Sequence, residues 1–106
     1  MNFNLNRFAD CEIINGAYKE IVDYGIKYRL FSTFSEEDML TWHIDGVRRK
    51  IHVLRNSGEW MFQFDDETPY KLTELKNFII EAEQFHRVIK GHGDLLIAIE
   101  EGDFYD

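Results

Sequence analysis

The chain has 106 residues, enough for one domain with a single modest core and too few for two. Apolar residues make up 44% and aromatic residues 15%, which excludes a disordered acidic segment. The formal net charge of -8 and a pI near 4.9 exclude nucleic-acid binding driven by the charge of the whole molecule, because its long-range field repels phosphate.

That charge is unevenly placed. Residues 1–58 hold eight acids and eight bases, whereas residues 59–106 hold twelve acids and four bases. After Lys90 no further Lys or Arg occurs, and five carboxylates follow. Such asymmetry speaks to partners and association rather than to fold. The single cysteine, Cys11, excludes an internal disulfide, and the polar start Met1–Arg7 carries no signal peptide, so a reducing cytosol is expected. No apolar run approaches the ~18–20 residues of a membrane span.

In chain order, Ile13, Ile14, Ala17, Tyr18, Ile21 and Val22 fall on one helical face and predict a first helix that stops at Gly25. Asn15 is an alternative cap, with the helix starting at Gly16. From Ile26 to Phe34 the period changes to two, which predicts a strand, and Ser35–Asp38 is a polar turn. Met39–Ile44 alternates again and runs into Asp45–Gly46, a two-residue hairpin signal that pairs Trp42 with Arg49 and Leu40 with Ile51. A turn at Asn56–Gly58 leads to the strand Glu59–Phe64, with Val53 opposite Phe62 and Ile51 opposite Phe64 so that the core face stays apolar.

Thr68–Pro69 reads as a cap and first helical position, opening a long helix to about Lys90 with Gly91 as its stop. Its apolar stripe is Leu72, Leu75, Phe78, Ile79, Ala82, Phe85 and Ile89. Leu95–Ile99 fits a buried strand better than a short helix capped by Asp94. The expected architecture is α+β, a two-layer sandwich of a four- to five-stranded antiparallel sheet with two helices on one face, in the order α-β-β-β-β-α and then a fifth strand. It forms a single domain, 1–106, with an acidic tail over 100–106. Trp42, Ile51, Val53, Phe62, Leu75, Ile79 and Ala82 are expected in the core.

Catalytic signals are absent at the level of motif. His86 and His92 lie six apart across a predicted helix end, which matches no helical metal pair. His43 and His52 share a sheet face beside Arg48 and Lys50, a poor setting for a cation. Cys11, flanked by Asp10 and Glu12, is a poor nucleophile. The expectation is therefore no catalytic residue, no metal and no cofactor.

The acids stand out instead. Glu36, Glu37 and Asp38, then Asp65, Asp66 and Glu67, lie in turns of the expected sheet, and Glu74 and Glu81 lie one heptad apart on the long helix. Glu100, Glu101, Asp103 and Asp106 line the tail, with Phe104 and Tyr105 among them. Carboxylates mixed with aromatic anchors suit a basic protein that handles nucleic acid. In kind, such a chain resembles the small phage-encoded inhibitor proteins, among them the DNA-mimicking anti-restriction proteins whose carboxylates stand in for phosphates. The resemblance implies a non-enzymatic protein that docks on a basic partner, with no direct nucleic-acid or membrane contact; a homodimer is compatible with it. The competing readings are a binder of nucleic acid or anions through the sheet face carrying Lys27, Arg29, Phe31, Arg48 and Lys50, and a small enzyme of unrecognised motif.

Overall fold

The structure is a computed structural model that describes residues 3–102. Among the described residues there is no α-helix. Eight strands form instead: β1 (Lys19–Asp23), β2 (Ile26–Phe31), β3 (Arg49–Asn56), β4 (Met61–Phe64), β5 (Tyr70–Lys71), β6 (Asn77–Ile80), β7 (His86–Ile89) and β8 (Leu95–Glu101). Short 3-10 turns occupy Leu5–Phe8 and Glu37–Met39. The expected α+β sandwich is thus replaced by two facing antiparallel sheets, one ordered β1-β2-β8-β3-β6 and the other β5-β4-β7.

The first expected helix is replaced by a turn closed by an Ile14–Tyr18 bridge and then by β1, the first arm of the β1–β2 hairpin. Asp23 pairs with Ile26, and the two loop residues Tyr24 and Gly25 both have positive φ (49° and 77°). That is the backbone of a hairpin turn whose twist matches that of its strands. The second expected helix is broken into β5, β6 and β7. Leu75 and Glu83 adopt left-handed φ (68° and 61°), which no helix interior allows. Contacts from distant segments hold both residues there. The Leu75 and Glu83 amides donate to the carbonyls of Val53 and Asp45, each at 2.8 Å.

The expected hairpin at Asp45–Gly46 does not form; β3 pairs with β6 and β8, so Ile51 stands opposite Phe78 and Ile99 rather than Leu40 or Phe64. Val53 and Phe62 do meet in one core, but from different sheets. Trp42, Leu75 and Ala82, expected inside, are exposed, and Ile79 is half-buried. Leu95–Glu101 is the strand expected there, and it is the middle of the larger sheet.

Alternation along the larger sheet sends residues to two different environments. On its outer face Tyr28, Leu30, Leu96 and Ala98 pack against Phe8, and Phe3 stacks on Tyr28 at 4.4 Å between ring centres. On its inner face Phe31, Ile51, Val53, Ile80, Leu95, Ile97 and Ile99 meet Phe62, Phe64 and Leu72. The completely buried Trp60 donates from Nε1 to the Gly93 carbonyl (2.9 Å), and the Asn56 side chain ties Trp60 to Leu72. There the backbones of Gly58 and Gly91 approach so closely that a β-carbon on either would overlap the facing main chain.

Candidate metal centre

Between the sheets lies a cavity of about 360 Å³, lined mainly by apolar side chains and by a polar group at one wall: His43, Asp45, Arg49 and His86. The segment carrying His43 is irregular, yet it is fastened to β7. The amides and carbonyls of His43 and His86 exchange two hydrogen bonds at 3.0 Å, forming an isolated antiparallel bridge. Extended backbone puts residues two apart on the same side, so His43 and Asp45 both turn towards His86. The imidazole rings of His43 and His86 lie 4.2 Å apart between centres.

Each imidazole has its Nδ1 engaged by a carbonyl two residues upstream: Thr41 for His43 at 3.0 Å and Gln84 for His86 at 2.7 Å. A carbonyl only accepts, so each Nδ1 carries a proton. In the neutral ring Nε2 then presents a bare lone pair. This is how metal-bound histidines are oriented.

Asp45 completes the group. Its Oδ2 is sealed from water, 3.2 Å from His86 Nε2 and 3.0 Å from Arg49 Nη1. Both contacts lie within hydrogen-bond distance but outside hydrogen-bond alignment, so the oxygen accepts no proper bond. Burial works against the Asp45 charge, yet the His86 contact and the Arg49 cation outweigh it and hold the carboxyl below its ordinary range. His43 sits at the accessible rim, and lost hydration on its protein side keeps its pKa below the ordinary 6.5, which favours the neutral, ligating form.

With His86 protonated, its Nε2–H supports the Asp45 carboxylate; with His86 neutral, Nε2 and Asp45 Oδ2 face each other at 3.2 Å as two bare acceptors. They need positive charge between them: a proton or a metal ion. The candidate ligand atoms of His43, Asp45 and His86 all lie within 4.8 Å of one another, comparable with the ~4 Å that separates ligands across one ion at about 2.0–2.2 Å from each. The donor set fits a divalent transition metal. Arg49 is the competing cation, held in turn by Glu101 at 2.7 Å, which also pairs with Lys27 at 2.8 Å. Burial raises the Glu101 pKa, but Lys27 and Arg49 together bring it below the ordinary value.

Three solved structures share the fold of this chain. KdgF from Halomonas sp. is 13% identical, with a TM-score of 0.65 over 97% of this chain and 96% of that one. A cupin domain from Bordetella pertussis is 12% identical, with a TM-score of 0.58 over 87% of this chain and 100% of that one. Fe(II) HppE is 12% identical, with a TM-score of 0.62 over 89% of this chain and 57% of that one. The fold is the cupin fold. No protein-family model matches the sequence, and no curated protein matches it.

A cupin barrel with a His-Asp-His cluster at its cavity, His86 buried and His43 at the rim, overturns the expected likeness to phage DNA mimics and the non-enzymatic inhibitor it implies. The expected sheet face of Lys27, Arg29, Phe31, Arg48 and Lys50 does not form either. Arg29 and Phe31 line the cavity, and Lys50 alternates to the other side of β3 from Arg49 and Ile51.

The cupin barrel scatters the acids. Glu36, Glu37 and Asp38 lie exposed at the second 3-10 turn, and Asp65, Asp66 and Glu67 lie exposed after β4. With no helix between residues 68 and 90, Glu74 and Glu81 share no helical face. Glu74 accepts the Asn56 amide at 2.9 Å, and Glu81 takes Arg48 at 3.0 Å. Glu100 pairs with His52 at 2.7 Å on the face opposite the cavity, and Glu101 holds Arg49. Asp103, Phe104, Tyr105 and Asp106 lie outside the described residues.

The sequence puts His43 and His52 on one expected sheet face and His86 and His92 at one helix end, neither a metal pair; the barrel instead brings His43 to His86. His92 instead meets Glu59 at 3.1 Å on the surface, a hydrogen bond that raises its pKa. The usable signal was local: His43-Ile44-Asp45, two ligand types two apart in a segment that is neither helix nor clean strand.

Proposed function

We propose that this protein is a small metal-dependent enzyme in which His43, Asp45 and His86 hold one divalent transition-metal ion and a small organic substrate enters the barrel. The observation that carries the reading is the pair of bare acceptors, His86 Nε2 and Asp45 Oδ2, 3.2 Å apart and both buried, with His43 beside them. Two imidazoles and one carboxylate form the donor set of iron(II) sites that keep open positions, and Fe(II) HppE shares the fold. A bound ion there supplies Lewis acidity and vacant positions for a substrate oxygen.

The chain's own residues do the rest. The carbonyls of Thr41 and Gln84 fix both imidazoles with Nε2 inward. Phe62 stacks on the His86 ring at 5.6 Å and keeps it from turning. Arg49 holds the Asp45 carboxylate charged. The apolar lining excludes bulk water, and the exposed rim at His43 is the entrance. A cytosolic location agrees with the single cysteine; no helix among the described residues is long and apolar enough to cross a membrane.

The test is anaerobic titration of metal-free protein with Fe(II) or Co(II). One ion should bind per chain, with Co(II) giving the absorption bands of a nitrogen- and oxygen-ligated site. His86→Ala should weaken binding by at least ~100-fold, the upper end of what even an outer partner of a ligand contributes. Equal binding by wild type and His43→Ala/His86→Ala protein would leave a proton, not a metal, between His86 and Asp45, and the reading would fail.

A further inference from the structure

A second cationic group faces the same cavity. Arg29, on β2, lines the cavity through a side chain only 13% exposed. Its Nε donates to Glu20 Oε2 at 3.0 Å, and its guanidinium carbon sits 4.2 Å from the centre of the Tyr18 ring. Glu20 thus takes one edge and Tyr18 one face. Among the described residues nothing accepts from the terminal nitrogens, Nη1 and Nη2, or bonds the Tyr18 hydroxyl. Arg49 differs, because both its terminal nitrogens already hold carboxylates.

A partly desolvated guanidinium with free edge donors is costly unless an acceptor fills them. Its planar fork fits a planar two-oxygen anion. Glu20 already offsets part of the positive charge, so a single negative charge balances the site where a dianion would not. Position matters too. Arg29 pairs with Ile97 and Arg49 with Glu101, four residues apart along β8. At ~3.3 Å per residue the two arginines are offset by about 13 Å along the sheet. Between them lie Ile97, Ile99 and Ile51 on the sheet, with Phe62 and Val88 opposite, all apolar cavity lining.

We propose that Arg29, with the Tyr18 hydroxyl, anchors the carboxylate of a monocarboxylic substrate whose apolar body crosses the cavity and presents its far end to His43, Asp45 and His86. This rests on the metal-centre reading only for what happens at that far end; the anchor is independent of it. Arg29 is a specificity residue, since it discriminates acids from neutral molecules of the same shape.

The test uses hexanoate and the neutral hexanamide as probes, titrated into metal-free protein by calorimetry and by following the Arg29 Nε–H resonance. Hexanoate should bind at least about tenfold more tightly than hexanamide, the value of a charge-assisted bond in a desolvated site. Only hexanoate should move the Arg29 resonance. Arg29→Met should erase the preference while still binding hexanamide, which shows an intact cavity, and Arg29→Lys should keep part of it. The preference should survive in His86→Ala protein. Loss of the preference in His86→Ala with Arg29 intact would place the anion at the histidines and overturn the proposal. So would an unmoved Arg29 resonance, equal binding of the two probes, or no hexanoate binding. A protein that prefers hexanoate yet takes up no metal would keep the anchor and sink only the metal-centre reading.

Discussion

The two faces of the five-stranded sheet use the same strands for opposite purposes. On the outer face β2 and β8 present Tyr28, Leu30, Leu96 and Ala98, and the N-terminal turn seals them with Phe8. The charges on that side stay in reach of water: Arg7 covers Phe3 from outside, and Glu100 pairs with His52. On the inner face the same two strands present Lys27, Arg29 and Phe31 beside Ile97, Ile99 and Glu101, and β3 adds Arg49. Apolar residues surround an open cavity there, and partly buried charges interrupt them. A face that only stabilises has no reason to carry arginines whose desolvation must be offset by Glu20, Asp45 and Glu101. Their place inside is what supports the proposed site on that side of the sheet.

The comparison can be broken first where it predicts the largest loss. Leu96→Ala on the closed outer face should cost about 4 kcal/mol in urea unfolding, because its neighbours cannot collapse into the hole, and metal uptake should not change. A comparable fall in metal affinity would show that the faces are not separate. Arg49→Met should cost about 3 kcal/mol in the metal-free protein, since it strands the Asp45 carboxylate without its cation. The same change should tighten divalent-metal binding by removing the competing charge; weaker binding would mean that Arg49 orients Asp45 for the ion. Ile97→Ala should cost only about 2 kcal/mol, because that side chain borders space that is already open.

The smallest effect concerns Tyr70, packed against Phe62 and Phe78. Burial, then the nearby Glu67 charge, pushes its pKa from 10.0 up to about 12. The folded chain thus favours the protonated phenol. Its contribution is complete below pH 10 and lost as pH rises towards about 12. Tyr70→Phe should flatten the stability curve in that window alone, and an unchanged alkaline slope would count against the burial of the ring.

How much of this was legible in the sequence depended on where the forces came from. Ile26–Phe31 reads as a strand because its alternation is set by two different faces, one wet with charge and one dry. Leu95–Ile99 reads as a buried strand because both its faces are covered, so it is apolar throughout. Residues 68–90 misread as a helix because Leu, Glu, Lys and Ala dominate the connecting turns and are good helix formers. What makes Leu75 and Glu83 turn is the carbonyls of Val53 and Asp45, contacts invisible to a local pattern. Asp45–Gly46 misread as a hairpin for the same reason: the Asp45 carboxylate is committed to Arg49 and His86. The candidate metal cluster was hidden because His43 and His86 stand on segments joined only by the barrel, and residue spacing cannot express that closure.

The place of β8 in the larger sheet bears on how the molecule is made. Among the described residues it is the last strand in chain order, yet it lies between β2 and β3 and supplies hydrogen bonds to both. While the ribosome extends the chain, the β1–β2 hairpin can form early, but it has no sheet to join. The sheet's two halves meet only when Leu95–Glu101 has emerged and threads between them, a step dominated by pairings distant in sequence and therefore slow. Until then β2 and β3 expose bare edges, so the newly synthesised chain is vulnerable to misassociation for longer than a local hairpin fold of equal size.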